Sequence, residues 1–170
     1  MTHTSNKVEW CLRKAEKEKE QWKKHRGLVN VTSGIEESKK HIAKAEHNLK
    51  AISYFNGGGF SDWSMSASFY CIYHCFLAIS IKFGYESRNQ ECTIALINYL
   101  KEKGEIEIED RFVSALEIYD ELGRHESNII EKRELFTYGT TVSADDNKEI
   151  EENIRLCKDC IAQTKKIIFK

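Results

Sequence analysis

The sequence predicts an all-α protein, an up-and-down antiparallel bundle of six to seven helices. Proline is absent from the 170 residues, which suits a mostly helical chain because proline breaks helix interiors but is common in loops and sheet edges. Apolar residues recur at intervals of three and four along most of the chain, which is the spacing of one helix face. Short connections separate these segments, and short connections place successive helices antiparallel.

The first two predicted helices are amphipathic. Residues 6–24 carry apolar side chains at helical spacing between charged ones, a pattern typical of a helix with one exposed face. The period is lost over residues 25–33, and Gly34 opens a second helix whose apolar or small side chains continue to Ile52. The run "NGGG", residues 56–59, predicts a turn, because consecutive glycines are costly inside a helix.

The third predicted helix, from Ser61 to Gly84, has so wide an apolar face that we place it at the centre of the bundle. A fourth helix follows over residues 88–103. The motif "EIEIED", residues 105–110, alternates like a strand, but it has no partner strand elsewhere, so we interpret it as a linker. The fifth helix is predicted over residues 110–122.

Two more helices complete the prediction. One runs from about Glu126 to Phe136, and the last is an amphipathic helix ending near Ile168. Ser143 and Asp146 resemble a capping box at the start of the last helix. A chain of this length forms one compact domain that buries roughly 70 % of its unfolded surface, so we predict a single domain, residues 1–170.

Composition excludes some classes of function. The formal net charge is −1, so the whole chain lacks the electrostatic attraction that drives nonspecific nucleic-acid binding, and any anion site must be local. The N-terminus has no apolar leader-like run, and the longest apolar runs are far shorter than the roughly 20 residues of a membrane span. We therefore expect a cytoplasmic protein without a membrane partner.

The cysteines are predicted to be reduced core residues. Six are present in a chain without a secretory signal: Cys11, Cys71, Cys75, Cys92, Cys157 and Cys160. The spacings C-x3-C and C-x2-C offer an alternative, a metal site formed by Cys71, His74, Cys75, Cys157 and Cys160. Structural zinc sites usually take such pairs from turns rather than from apolar helix stripes, so we predict no metal and no cofactor.

The remaining polar residues suggest one binding site. His25, His41 and His47 are interpreted as solvated residues. Arg88 and Asn89 lie at the start of the fourth helix, where backbone N–H groups favour anions and an arginine can bind phosphate or carboxylate. The alternatives are an interhelical turn with Ser87 as the N-cap, and a surface for self-association.

Two segments resemble a known family, the HEPN domains. The segment "SASFYCIYHCFLAISIKFGYESRN" is similar to the family's central helix, and "EKRELFTYG" with the following long helix is similar to its final helix pair. The resemblance covers residues 35–168 and leaves residues 1–30 as an accessory N-terminal helix. It implies an all-α bundle that commonly forms homodimers.

The resemblance also implies a division of functions. Many HEPN proteins are metal-independent ribonucleases of toxin–antitoxin or defence systems, often paired with a nucleotidyltransferase-like protein, and others are noncatalytic and bind nucleotides, RNA or protein. The ribonuclease members carry the motif R-x4-6-H. Its arginine positions phosphate and its histidine transfers protons, a division that suits RNA cleavage because the phosphorane needs a cation and a group titrating near neutrality.

This sequence departs from the ribonuclease motif. Arg133 matches the arginine, but positions 138–140 are Tyr, Gly and Thr. Tyr138, with an ordinary pKa of about 10, is a poor general base without strong tuning. His125 beside Arg124 offers a rearranged pair, although adjacent helical residues point about 100° apart.

These residues lead to the predicted function. The chain is expected to be a noncatalytic or diverged HEPN-like homodimer that binds RNA, a nucleotide or a protein partner, with Arg88, Asn89 and Arg133 contacting the anion. One alternative is a ribonuclease with a non-standard active site that uses Arg133 with Tyr138 or His125. Another is a purely structural module for protein interaction.

Overall fold

The computed structural model describes residues 2–116, 129–142 and 147–170. The described elements are α1 (His3–Glu20), β1 (Leu28–Asn30), α2 (Ile35–Gly57), α3 (Ser61–Lys82), β2 (Tyr85–Ser87), α4 (Gln90–Glu102), α5 (Asp110–Ser114), α6 (Ile129–Tyr138) and α7 (Asn147–Ile168). The all-α prediction is therefore confirmed. The capping box at Ser143 and Asp146, the second half of the predicted fifth helix and His125 lie outside the described residues.

Helices α2, α3, α6 and α7 form the bundle, and cross-helix contacts fix their directions. Helix α2 is antiparallel to α3, since the Ser38 hydroxyl donates to the carbonyl of Ala78 while the Ser64 hydroxyl donates to the carbonyl of Ile52. Ser66 contacts Thr137, and Arg133, one turn earlier on α6, lies over Phe69, which makes α6 antiparallel to α3 as well. These pairings give the up-and-down arrangement.

Helix α7 completes the bundle beside α2 and α3. Its Lys165 ion-pairs with Glu46 at 2.5 Å, while the amide of Asn56 donates to the side-chain oxygen of Asn147 at 3.3 Å, so α7 is antiparallel to α2. The Cys157 thiol contacts the carbonyl of Ser68, near the middle of α3. Helices α3 and α7 thus run in the same direction, as expected for the second and fourth helices of such a bundle.

Helix α3 is the centre of the core, as its apolar sequence predicts. Fully buried side chains on it include Met65, Ile72, Phe76 and Ile79. By length and composition alone the helix could cross a membrane, since an 18-residue stretch of it has a mean hydropathy of 1.4. However, 67 % of that stretch is buried inside the fold. Burial inside the fold accounts for this apolar composition.

A short antiparallel ribbon lies outside the helices and was missed by the sequence interpretation. Strands β1 and β2 pair in the register Leu28 with Ser87, Val29 with Glu86 and Asn30 with Tyr85. Each strand has three residues, too few for a period-2 pattern to be recognised. The segment "EIEIED" contains no strand, which confirms its interpretation as a linker, and its Ile106 and Ile108 are buried.

Candidate functional site on helices α3 and α6

The Arg133 guanidinium packs on aromatic side chains of α3. Its guanidinium carbon is 4.2 Å from the ring centroid of Phe69 on α3, a cation–π geometry. The Phe69 ring in turn stacks on Tyr73 at 5.7 Å, and the Tyr73 hydroxyl contacts Thr93. The Arg133 side chain is 18 % exposed, and its described ion-pair contact, to Glu134, is long at 3.5 Å. The guanidinium is therefore fixed in position while most of its donors stay free of described protein partners.

Exposed aromatic side chains are present on the two helices that Arg133 joins, α3 and α6. The Ser66 and Thr137 hydroxyl oxygens are 3.2 Å apart and join α3 to α6. Trp63 and Tyr70 lie one turn to either side of Ser66, on the same face of α3, and are 51 % and 45 % exposed. Tyr138, at the end of α6, is 82 % exposed. We call Trp63, Tyr70, Arg133, Thr137 and Tyr138 the α3–α6 surface.

The α3–α6 surface combines a cation with accessible rings. Exposed aromatic side chains stack on unpaired bases, and an arginine contacts phosphate or a base face. In the described part of the chain no histidine contacts Arg133, and Tyr138 has no described hydrogen bond that would position its hydroxyl for proton transfer.

Arg88 and Asn89 are engaged in structural contacts. The Nε of Arg88 donates to Oε1 of Glu86 at 2.8 Å, and Nε2 of His25 contacts the same oxygen at 3.2 Å. Burial opposes ionisation of Glu86, but the hydrogen bonds from Arg88 and His25 lower its pKa overall. Asn89 is the N-cap of α4, since its side-chain oxygen accepts from the N–H of Cys92 at 2.9 Å.

Two details of this junction correct the sequence interpretation. The N-cap is Asn89 and not Ser87, whose hydroxyl accepts from Thr93 at 2.7 Å and donates to the carbonyl of Asn89. His25, predicted to be solvated, is buried with 6 % exposure. The anion-binding role of Arg88 and Asn89 stays a prediction; within the described chain Arg88 uses only its Nε on Glu86 and its side chain is 51 % exposed.

His41 and His74 form a pair that the sequence interpretation did not find. Their Nδ1 atoms are 3.0 Å apart across the α2–α3 seam, so one ring donates to the other. Burial lowers the pKa of both rings. The neighbouring His41 and Lys44 lower the pKa of His74 further, to about 4, while Glu37 partly opposes the shift at His41. His41 is therefore not a solvated residue.

Four cysteines meet in the core between α3 and α7. Cys71 and Cys157 interact through their thiols, as do Cys75 and Cys160, and all four are free and buried. The hydrogen bond with Cys157, followed by burial, raises the pKa of Cys71. Burial is the main cause of the raised pKa of Cys160. Such thiols behave as small apolar side chains.

The metal alternative finds no support. His74 contacts His41 and is not held among the cysteines. Over residues 2–116, 129–142 and 147–170, no group of three or more His, Cys, Asp or Glu side chains is arranged to hold a metal ion. Core packing accounts for the four buried thiols.

The prediction that all cysteines are reduced is wrong for two of them. Cys11 and Cys92 form a disulfide between α1 and α4, and both residues are fully buried. A separation of 81 residues gives no local pattern from which the pairing could have been read. The bond fastens the accessory helix to the bundle.

The helix arrangement, with a short ribbon beside the bundle of α2, α3, α6 and α7, defines an all-α bundle protein. The model of the HEPN domain family matches residues 38–168, which include α3, α6 and Arg133. The chain therefore belongs to the HEPN domain family, as its sequence resemblance predicted. Searches of curated proteins and of solved structures find no match. Helix α1 and strand β1 precede the matched region.

Proposed function

We propose that this chain is a noncatalytic HEPN-domain protein that binds single-stranded RNA through the α3–α6 surface. The observation that carries the proposal is Arg133, held on Phe69 of a helix that also exposes Trp63 and Tyr70, without a histidine at positions 138–140. The family membership supports an RNA-related role in a toxin–antitoxin or defence system. The protein acts as a cytoplasmic homodimer beside a nucleotidyltransferase-like partner in this proposal.

The division of labour within the surface follows from side-chain chemistry. Arg133 contacts phosphate, because its planar donors suit phosphate oxygens and its stem is already ordered on Phe69. Trp63, Tyr70 and Tyr138 stack bases, each contributing about 1–3 kcal/mol by analogy with other single-strand binders. The near-zero net charge of the chain is compatible with this mode, since stacking carries much of the affinity and does not require a basic protein.

The test measures, by fluorescence anisotropy, how tightly the protein binds a fluorescein-labelled single-stranded RNA of 12 nucleotides. Arg133→Ala is expected to weaken binding at least about fivefold and to lower the salt slope of log K by about 0.7, the value for one phosphate contact. Arg13→Ala is the matched control, because Arg13 lies on α1, pairs only with Glu9 within the described chain and is 68 % exposed. Equal affinity of the two variants would refute the site.

A second readout separates binding from catalysis. Wild-type protein incubated with single-stranded RNA and tRNA, with and without divalent metal, is expected to leave the RNA intact. Cleavage that disappears in Arg133→Ala or Tyr138→Phe would instead establish the alternative, a ribonuclease with a non-standard site. Because the two substitutions remove a cation and a hydroxyl respectively, their comparison identifies which group supports the reaction.

A second candidate function for the same surface is protein docking. Its exposed rings, Trp63, Tyr70 and Tyr138, offer apolar surface that a second copy of the chain could cover. Sedimentation velocity of the wild type and of Trp63→Ala/Tyr70→Ala tests this candidate. A dimer that dissociates in the double variant while RNA binding is unchanged would assign the surface to self-association.

A further inference from the structure

The solvent-facing side of helix α1 carries a stripe of lysines with a tryptophan at its centre. At about 100° per residue, Lys7, Trp10, Lys14 and Lys17 fall within an arc of about 80° around the helix axis. The apolar side of α1 is buried against α4 and β1, so this stripe points to solvent, and Trp10 is 48 % exposed. We call Lys7, Trp10, Lys14 and Lys17 the α1 cationic face.

Two of these lysines lie over the Trp10 ring. The Nζ atom of Lys7 is 4.6 Å from the ring centroid and that of Lys14 is 5.2 Å from it, both cation–π distances. Lys7 also forms a long ion pair with Glu91, at 3.4 Å. Lys14 and Lys17 have no ion-pair partner in the part of the chain that the structure describes. Two unpaired ammonium groups therefore lie beside an accessible indole ring.

The glutamates of α1 lie outside this face. Three of them form a separate stripe centred about 120° away around the helix: Glu9, Glu16 and Glu20. Glu18 lies nearer to the face, but its carboxylate accepts a hydrogen bond from the backbone N–H of Arg26. Arg13 pairs with Glu9 on the acidic side, so it is not part of the face. The two signs of charge are thus segregated on α1.

The positive charge of the chain is concentrated around this helix. Residues 1–27 contain eight lysines and arginines and four glutamates, whereas residues 28–170 contain 18 lysines and arginines and 23 acidic residues. In a chain of net charge −1, such a local excess is what a site for an anion requires. The Cys11–Cys92 disulfide fixes α1 on α4, so the face is presented by a helix that is held in place.

We propose that the α1 cationic face binds single-stranded RNA, with Lys14 and Lys17 on phosphates and Trp10 stacked on a base. Ammonium groups beside an exposed indole ring suit a strand that offers both phosphates and unpaired bases. A lipid surface fits less well, because the apolar side of α1 is buried in the fold and cannot enter a bilayer. A protein partner also fits less well, because lysine is depleted in protein interfaces.

The α1 cationic face is a second RNA site, separate from the α3–α6 surface. Helix α1 precedes residues 38–168, the region of the family match, and none of its residues belongs to the α3–α6 surface. The inference rests on the proposed function for the identity of the ligand, but it does not depend on Arg133.

Anisotropy with the same labelled 12-nucleotide RNA tests the face on the full chain. Lys14→Gln/Lys17→Gln is expected to weaken binding about tenfold at low salt and to lower the salt slope of log K by about 1.4, the value for two phosphate contacts. Trp10→Ala is expected to weaken binding about fivefold and to leave the salt slope unchanged, because stacking releases no counterions. Wild-type affinity in either variant would overturn the proposal.

A matched double variant controls for the loss of two positive charges. Lys39→Gln/Lys40→Gln removes two exposed lysines of α2, each paired with a glutamate one turn earlier, and it is expected to bind RNA like the wild type. An equal loss in the two double variants would show a general charge effect and would overturn the proposal. Lysines near the end of α1 also compensate the helix dipole, but this structural role would lower the urea midpoint and leave the salt slope unchanged.

Comparison with Arg133→Ala separates the two RNA sites. If both sites contact the strand, the losses in log K of Arg133→Ala and of Lys14→Gln/Lys17→Gln are expected to add in the triple variant. A loss in the lysine variant together with wild-type binding by Arg133→Ala would refute the α3–α6 surface and retain the α1 cationic face. The reverse pattern would overturn the α1 cationic face alone.

Two further probes test the other classes of partner. Phosphatidylglycerol vesicles and a polyglutamate peptide are each expected to compete poorly with the labelled RNA. Binding of vesicles or peptide that is lost in Lys14→Gln/Lys17→Gln, while RNA affinity is the same in that variant as in the wild type, would assign the face to a lipid surface or to an acidic protein. Either result would overturn the proposal.

Discussion

Reduction of the Cys11–Cys92 disulfide is expected to lower the free energy of unfolding substantially. The bond joins residues 81 positions apart. In the chain-entropy model a loop of that length removes about 15 cal/mol/K from the unfolded state, equivalent to about 4.5 kcal/mol at 25 °C. Measured values for disulfides are more often about 2–4 kcal/mol, so we expect a loss in that range, with 4.5 kcal/mol as the ceiling.

The loss should be concentrated in the accessory helix. Without the bond, α1 is held by the burial of Val8 and Ala15 and by exposed contacts such as the Lys7–Glu91 ion pair at 3.4 Å. Exposed ion pairs contribute at most about 1 kcal/mol. Hydrogen exchange of α1 should therefore accelerate on reduction much more than exchange of α3, which remains enclosed by the bundle.

Urea unfolding followed by circular dichroism, with and without a phosphine reductant, measures the effect. The midpoint is expected to fall by about 1–2 M on reduction. Cys11→Ser/Cys92→Ser is the control, since it should not respond to the reductant whatever its own stability. A thiol titration of the unfolded, non-reduced protein is expected to find four free thiols, as the structure shows for Cys71, Cys75, Cys157 and Cys160.

Two results would refute this reasoning. Six free thiols in protein prepared under oxidising conditions would show that the pairing does not form. A reductant effect of the same size in the wild type and in the double serine variant would show that the effect arises elsewhere in the chain.

The remaining predictions concern three other contacts. Burial lowers the pKa of His41 and His74 in the folded protein, so below the ordinary pKa of about 6.5 the unfolded chain binds more protons than the folded one. The free energy of unfolding is therefore expected to fall as the pH is lowered from about 6.5 toward the His74 value of about 4. After a discount for partial solvent exposure, we expect this loss of stability to be about 1–2 kcal/mol. Urea unfolding at pH 7 and pH 5 should show a smaller loss in a His41→Gln/His74→Gln variant. An equal loss in that variant would contradict the assignment of the pH dependence to these two histidines. Asn89→Ala should cost about 1 kcal/mol through loss of the α4 N-cap, and an unchanged urea midpoint would argue against that cap. Gly27→Ala should loosen α1, because its Cβ would lie 2.3 Å from the backbone oxygen of Cys11, whereas Gly57→Ala meets nothing within 4 Å; equal melting temperatures for the two variants would count against the close approach.

The sequence predicted the bundle well because its signals are local. Apolar spacing, the break at "NGGG" and the absence of proline each act within a few turns of helix, and the resemblance over residues 35–168 agrees with the family match over residues 38–168. The central position of α3 followed from its own composition. Arg133 was found because the family motif is short and contiguous, and the departure at positions 138–140 was visible for the same reason.

The site was only partly predictable. The sequence indicated Arg133 as an anion contact, but it gave no sign that Phe69 supports the guanidinium or that Trp63 and Tyr70 are exposed on the same helix. These residues are contributed by another helix, and which faces of two helices meet depends on packing. The ion pair of Arg88 with Glu86 was not predicted, because it forms beside the β1–β2 ribbon, whose strands are too short to recognise.

By itself the sequence determined that this chain is an all-α HEPN-type bundle and that the ribonuclease histidine is missing at its usual place. Only the tertiary structure decided which distant groups meet: Cys11 with Cys92, His41 with His74, and the thiols of α3 with those of α7. The physical reason is that helix formation depends on neighbours within a few residues, whereas these pairs form only after the helices pack. The sequence around a histidine or cysteine does not show which distant residue it will contact.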